Sequence, residues 1–160
     1  LASDFAPVDL AGVAAEVAED LRSNAEKHGI TITVDTKTAV INGNRNQIYE
    51  LVYNLCDNAI RYNRENGSVK IITGDDNEHP FVKVADTGIG IAPEEQGKVF
   101  ERFYRVDKSR SKARGGTGLG LAIVKHAALY HHATLDLSSE LGVGTTITVT
   151  FPIQQDEPFA

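Results

Sequence analysis

The 160-residue chain has no methionine, a single cysteine and no apolar run near the ~20 residues that a membrane span needs. With Cys56 alone, no internal disulfide can form, and a reducing compartment fits. No secretory signal is visible. A chain that opens at Leu1 and lacks methionine is expected to be a fragment of a longer protein, so the missing span says nothing of the parent. Positive charge is scarce too. Sixteen Lys and Arg face 22 Asp and Glu, a net charge of -6 that disfavours wholesale binding to nucleic acid or an anionic membrane. What remains is 41% apolar and 24% charged, the balance of a soluble globular protein, and long enough for one domain with a real core. There is no internal repeat and no low-complexity tract.

Apolar residues at Leu10, Val13, Ala14, Val17 and Leu21 predict a helix to about Lys27, with Asp9 as its N-cap and Gly29 after its end. Residues 30–34 alternate with β-branched side chains and predict a strand; residues 39–41 suggest a short one. A second helix is expected over about 45–62, with Ile48, Leu51, Val52, Leu55, Ala59 and Tyr62 as its apolar stripe. Turn chemistry follows at 63–67. Strands are expected at 69–73 and 81–85, joined by a polar loop over 74–79. Pro93 opens a short helix, with Glu94 and Glu95 near its positive end. Residues 105–116 read as a mobile loop, 119–130 as a third long helix, and 135–137 and 145–151 as closing strands. These elements predict an α/β (α+β) two-layer sandwich, with about three long helices on one face of a mixed, mostly antiparallel sheet. One domain is expected over 1–153, with a frayed tail at 154–160.

Three stretches carry chemistry. Asn54, Asn58 and Arg61 fall at i, i+4 and i+7, one edge beside the apolar stripe. An amide oxygen can ligate a hard cation without adding charge, and magnesium takes few protein ligands when a polyphosphate supplies the rest. Arg61 could then hold a phosphate oxygen and Tyr62 border a base. Satisfied surface amides and a solvated arginine fit the same residues, with Asp57 facing outward. The second stretch is Asp86-Thr-Gly-Ile-Gly-Ile91, directly after a strand. A carboxylate there can accept from the exocyclic amine of adenine, where guanine presents an oxygen; a capped strand-to-turn corner is the plainer reading. The third is Gly115-Gly-Thr-Gly-Leu-Gly-Leu121, directly before a helix whose free N–H groups can seat phosphate. It is neither a P-loop nor a dinucleotide fingerprint. A flexible connector is the alternative.

Upstream of the third stretch, Arg105, Lys108, Arg110, Lys112 and Arg114 make a positive run in an acidic chain, opposed by Asp107. Phe100 and Phe103, at helical spacing before it, read as a plug that repacks as the loop moves, or as plain core.

In order along the chain, these segments resemble the motifs of sensor histidine kinases. Residues 54–62 are similar to the N box, 86–90 to the G1 box, 100–105 to the F box and 116–121 to the G2 box. The resemblance spans nearly the whole chain, is least diagnostic over the first forty residues, and is to a kinase similar to the phosphate-sensing type. It implies the ATP-binding catalytic domain with the Bergerat fold shared by gyrase, heat-shock chaperone and mismatch-repair ATPases. It implies magnesium on Asn58 assisted by Asn54, a basic role on the phosphates for Arg61, and Arg105 near the terminal phosphate. Tyr62, Asp86, Gly88, Gly90 and Ile91 would border the nucleotide. So would Gly116, Thr117, Gly118, Leu119, Gly120 and Leu121, within or after a lid over about 105–118.

Hydrolytic relatives carry a glutamate four residues before the magnesium asparagine; here Asn54 stands there, and an amide is no base at neutral pH. Such a site shields the γ-phosphoryl group from water until a better nucleophile is placed in line. The family's acceptor motif, a histidine followed by an acid in a dimerising hairpin, does not occur. His28 ends a helix, His79 is expected in a loop, and His126, His131 and His132 read as surface residues. The expected function is therefore to bind Mg-ATP and phosphorylate a histidine on an upstream dimerisation domain, for relay to a response-regulator aspartate. The expected setting is cytoplasmic, with the parent anchored in the membrane and no membrane or nucleic-acid contact from this domain. Three rival readings stand beside it: an anti-sigma-factor serine kinase, a hydrolysing motor or chaperone head, and a nucleotide-sensing scaffold without transfer activity.

Overall fold

A computed structural model describes residues 4–101 and 120–154. Its elements are β1 (Ala6–Asp9), α1 (Leu10–Lys27), β2 (Thr31–Thr36), β3 (Val40–Gly43), α2 (Arg45–Arg61), β4 (Ser68–Asp76) and β5 (His79–Asp86). A 3-10 segment (Pro93–Lys98), α3 (Gly120–Tyr130), β6 (Thr134–Glu140) and β7 (Gly144–Thr150) follow. Five strands form one sheet in the order β2-β4-β5-β7-β6. Only β2 and β4 run parallel; the other pairs are antiparallel. The helices pack on one face of this mixed sheet, as the sequence predicts.

The core is where the two periodicities meet. α1 buries Leu10, Val13, Ala14, Val17, Ala18, Leu21 and Ala25, and α2 buries Ile48, Leu51, Val52, Leu55, Cys56, Ala59 and Ile60. Against them the sheet presents Val69 and Ile71 of β4, Val82 and Val84 of β5, and Ile147 and Val149 of β7, at period two. Burial of aliphatic surface on this scale is the main term holding the fold. Cys56 lies inside this core, and burial pushes its thiol far up, so it packs as an apolar group.

The structure departs from the sequence reading at three places. Residues 6–9, of which the sequence reading singles out Asp9 alone, as a cap, form β1, paired antiparallel with β3 from Ala6↔Gly43 to Asp9↔Val40. Asp9 still caps α1: its Oδ1 accepts from Ala11 N at 3.0 Å and also from Ala39 N at 3.1 Å. The expected loop over 74–79 shrinks to a two-residue turn, Asn77 and Glu78, both at positive φ (51° and 68°). His79 is therefore a strand residue, not a loop residue, and its Nδ1 meets Phe151 O at 3.0 Å. His131, expected at the surface, is buried. It stacks on Phe5 at 4.9 Å, its Nδ1–H donates to Ala127 O at 2.8 Å, and its Nε2 accepts from Asn44 N at 3.0 Å. Of the expected tail, Gln154 is tied by Asn42 N–H to its Oε1 at 2.8 Å; 155–160 lie outside the described residues.

Candidate functional site

The site is built on α2. Asn44 opens this helix, its Oδ1 accepting from Gln47 N at 3.0 Å. One side faces the core, and the edge beside it carries Asn54, Asn58 and Arg61, all half-buried. Asn54 Nδ2 donates to Glu50 O at 2.7 Å, one turn back, which fixes which end of the amide is tethered. Its Oδ1 then looks toward α3: a Cβ on Gly120 would sit 3.3 Å from it. Asp57 does not face outward as expected. It is half-buried and accepts from Arg61 Nε at 2.8 Å, because residues four apart share a helix face.

At its far end α2 meets the second stretch. Tyr62 O accepts from Ile89 N at 3.1 Å, so backbone lies on backbone where the helix stops. Gly88 is required by this approach: a Cβ there would fall 2.4 Å from Tyr62 O. Gly90 has φ +73°, and a Cβ on it would strike the Glu140 carbonyl oxygen at 2.1 Å. Ile91 is nearly buried, with its N–H donating to Ser139 Oγ at 2.8 Å. Gly120 and Leu121 open α3. Arg105, Gly116, Thr117, Gly118, Leu119, Phe103 and the whole expected lid lie outside the described residues. Phe100, expected as a plug or as core, packs against the core cluster.

Asp86 is the last residue of β5. Its Oδ1 accepts from Gly88 N at 2.8 Å and Thr145 N at 3.1 Å. Desolvation by burial pushes its carboxyl up to about 6, against the pull of those two N–H groups. A carboxylate so placed has the capacity to accept from one more donor.

Supporting residues went unseen in the sequence. Asn63 is buried; its Nδ2 donates to Ser68 O at 2.9 Å and its Oδ1 accepts from Arg64 N at 2.9 Å. Thr145 aims Asp86, while Ser139 Oγ holds Ile91 N and lies 2.7 Å from Thr145 Oγ1. Asn63 and Arg64 sit in a stretch whose only local signal is turn propensity, and what they face is set by strand order. Among the described residues no group of three or more His, Cys, Asp and Glu is placed to hold a metal. The amide oxygens of Asn54 and Asn58 are donors of a kind that can ligate a hard cation without adding charge. With Asn54 Nδ2 tethered to the helix, its carbonyl oxygen is the end left on the α3 side.

An amide-edged helix spanning a carboxylate-ended strand and a glycine-led helix start defines a nucleotide-type domain. Residues 43–155 match the model of the Histidine kinase-, DNA gyrase B-, and HSP90-like ATPase family, and the chain belongs to that family, among its histidine kinase catalytic domains. It is 40% identical over 154 residues to the Sensor-like histidine kinase SenX3 of Mycolicibacterium smegmatis, covering 96% of this chain and 40% of that protein. It is 38% identical over 149 residues to the Phosphate regulon sensor protein PhoR of Pseudomonas aeruginosa, covering 92% of this chain and 34% of that protein. The solved structure of the mycobacterial sensor histidine kinase MprB superposes with a TM-score of 0.81 at 30% identity, over 94% of this chain and 98% of that one. The chain thus spans well under half of those two curated relatives. No described helix is long and apolar enough to cross a membrane.

Proposed function

We propose that this domain binds Mg-ATP and donates the γ-phosphoryl group to a histidine on an upstream dimerisation domain, for relay to a response-regulator aspartate. The observation that carries the reading is the way α2 joins the two halves of the site. At Tyr62 it touches the Asp86 loop, and at Asn54 it faces the start of α3. Eight residues separate these contacts, ~12 Å along a helix. An adenine held by Asp86 Oδ2 at one end leaves the phosphates over the amide edge and near the N–H groups that open α3. Bound magnesium would neutralise phosphate charge, held by Asn58 and Asn54.

Nothing on the amide edge can deprotonate water. Asn54 supplies a neutral carbonyl where a base would have to stand, so the bound nucleotide waits for a nucleophile brought in line. None of the five histidines has the hairpin context of an acceptor, and His131 is locked in the core. The acceptor, the sensor and the membrane anchor of the parent are therefore assigned to chain outside this sequence. The expected outcome is ATP binding stronger than GTP binding, strengthened by magnesium. On incubation with γ-labelled ATP the chain should carry no stable label and release phosphate at near-zero turnover. A phosphoramidate on this chain, or steady hydrolysis, would refute the reading.

A further inference from the structure

We infer that Arg64 is a positioning residue for adenine selectivity: it clamps the 86–90 loop against the end of α2 and the β6–β7 turn. The inference rests on the nucleotide reading above and deepens it. Three chain segments meet beside Asp86, and each is tied to the next. Ile89 N donates to Tyr62 O at 3.1 Å, joining the loop to α2. Gly142 N donates to Ile89 O at 2.8 Å, joining the β6–β7 turn to the loop. Arg64 closes the ring, with one nitrogen, Nη2, donating to Gly88 O at 3.0 Å and Gly142 O at 2.5 Å. The two hydrogens of a single guanidinium nitrogen thus bridge two carbonyls from segments far apart in sequence. Hydrogen bonds from a charged donor are the stronger kind, and the planar guanidinium fixes their directions.

The ring matters because Asp86 is aimed by its own members. Gly88 donates its N–H to Asp86 Oδ1 while its carbonyl takes Arg64, so the clamp grips the residue that orients the carboxylate. Arg64 starts from a firm base. Its backbone N–H donates to Oδ1 of buried Asn63, which is itself bonded to Ser68 O. Loss of the side chain leaves the backbone bonds of the ring in place but frees Gly88 and Gly142 to shift. Asp86 would then lose the fixed geometry by which it takes an amine and rejects a carbonyl oxygen. Arg64 is exposed, so its removal need not open the core.

The test compares the wild-type chain with Arg64→Ala and Arg64→Lys. In the absence of nucleotide, amide exchange at Ile89 and Gly142 should quicken about tenfold in Arg64→Ala, equivalent to ~1.4 kcal/mol of local opening. ATP affinity with magnesium should fall about tenfold while GTP affinity stays put, so that the ATP-to-GTP ratio collapses by that factor. Arg64→Lys, which keeps the charge, should lie between the two in both measurements. If ATP and GTP affinity drop together, if the ratio is unmoved, or if exchange is unaltered, the clamp is wrong. If the wild type binds neither nucleotide, the reading of the site fails, and with it the selectivity role. The exchange data still judge the clamp by themselves.

Discussion

A carboxylate that is both half-buried and aimed is a compromise, and Asp86 shows what it trades. Its two N–H partners favour the ionised form; desolvation opposes them and prevails, leaving its pKa at about 6. An amine donated to Oδ2 would tip the balance back toward ionisation. ATP affinity should therefore be flat above about pH 7 and decline as Asp86 protonates below about 6, approaching tenfold per pH unit. Titration calorimetry across pH 5 to 8 checks this, and a flat profile would mean that Asp86 does not read the base. Asp86→Asn should lose about ten- to a hundredfold in ATP affinity. It forfeits a hydrogen bond to a charged group, worth ~1.5–3 kcal/mol, although its amide oxygen can still accept from Gly88 and Thr145.

At the scale of elements, the helices are where sequence and structure agree best, because their signals are local. The stripe of Ile48, Leu51, Val52 and Leu55 announces α2, and Asp9 before an apolar repeat announces α1. Of residues 6–9 only the Asp9 cap is legible, because β1 exists through a partner more than thirty residues away. The same limit hid Thr145 and Ser139, which reach Asp86 and Ile91 across the β5–β7 pairing and the β6–β7 turn. His131, just past the end of a predicted helix, reads as a surface residue, but it accepts the N–H of Asn44, the very residue that caps α2. The amide edge itself is readable, since i, i+4 spacing is a property of the helix alone, and the same spacing pairs Asp57 with Arg61. These caps can be weighed. Asn44→Ala should lower stability by ~1 kcal/mol, the usual cost of a lost N-cap. Asp9→Ala should cost more, ~2 kcal/mol, since Ala39 N loses its acceptor as well. Urea melts rank the two, and equal losses would argue that the Ala39 bond contributes nothing.

For the molecule as a whole, two buried titrations pull stability in opposite directions across the same pH range. His131 is held neutral, with Nδ1–H on Ala127 O and Nε2 taken by Asn44 N–H, and burial lowers its pKa from 6.5. The unfolded chain therefore binds more protons here, and this contribution, full above about 6.5, is lost as pH falls. Asp86 has the reverse sign. Its pKa is raised in the folded state, so its contribution is full below about 4 and lost as pH climbs through about 6. Between pH 6.5 and 4 the two partly cancel, flattening the acid side of the nucleotide-free stability curve. Asp86→Asn removes one arm. At pH 7.5 it should be more stable than wild type by at most ~3 kcal/mol, the free-energy equivalent of the shift from 3.8 to about 6. That advantage should shrink steadily as pH falls and vanish below about 3, where the wild-type carboxyl is protonated in both states. Saturating Mg-ATP should narrow that advantage by ~1.4–2.8 kcal/mol at pH 7.5, the equivalent of the ten- to hundredfold weaker binding of the variant. Thermal melts of both proteins, with and without nucleotide at several pH values, give all four curves. If the variant is less stable than wild type without nucleotide at neutral pH, Asp86 serves the fold and not the ligand.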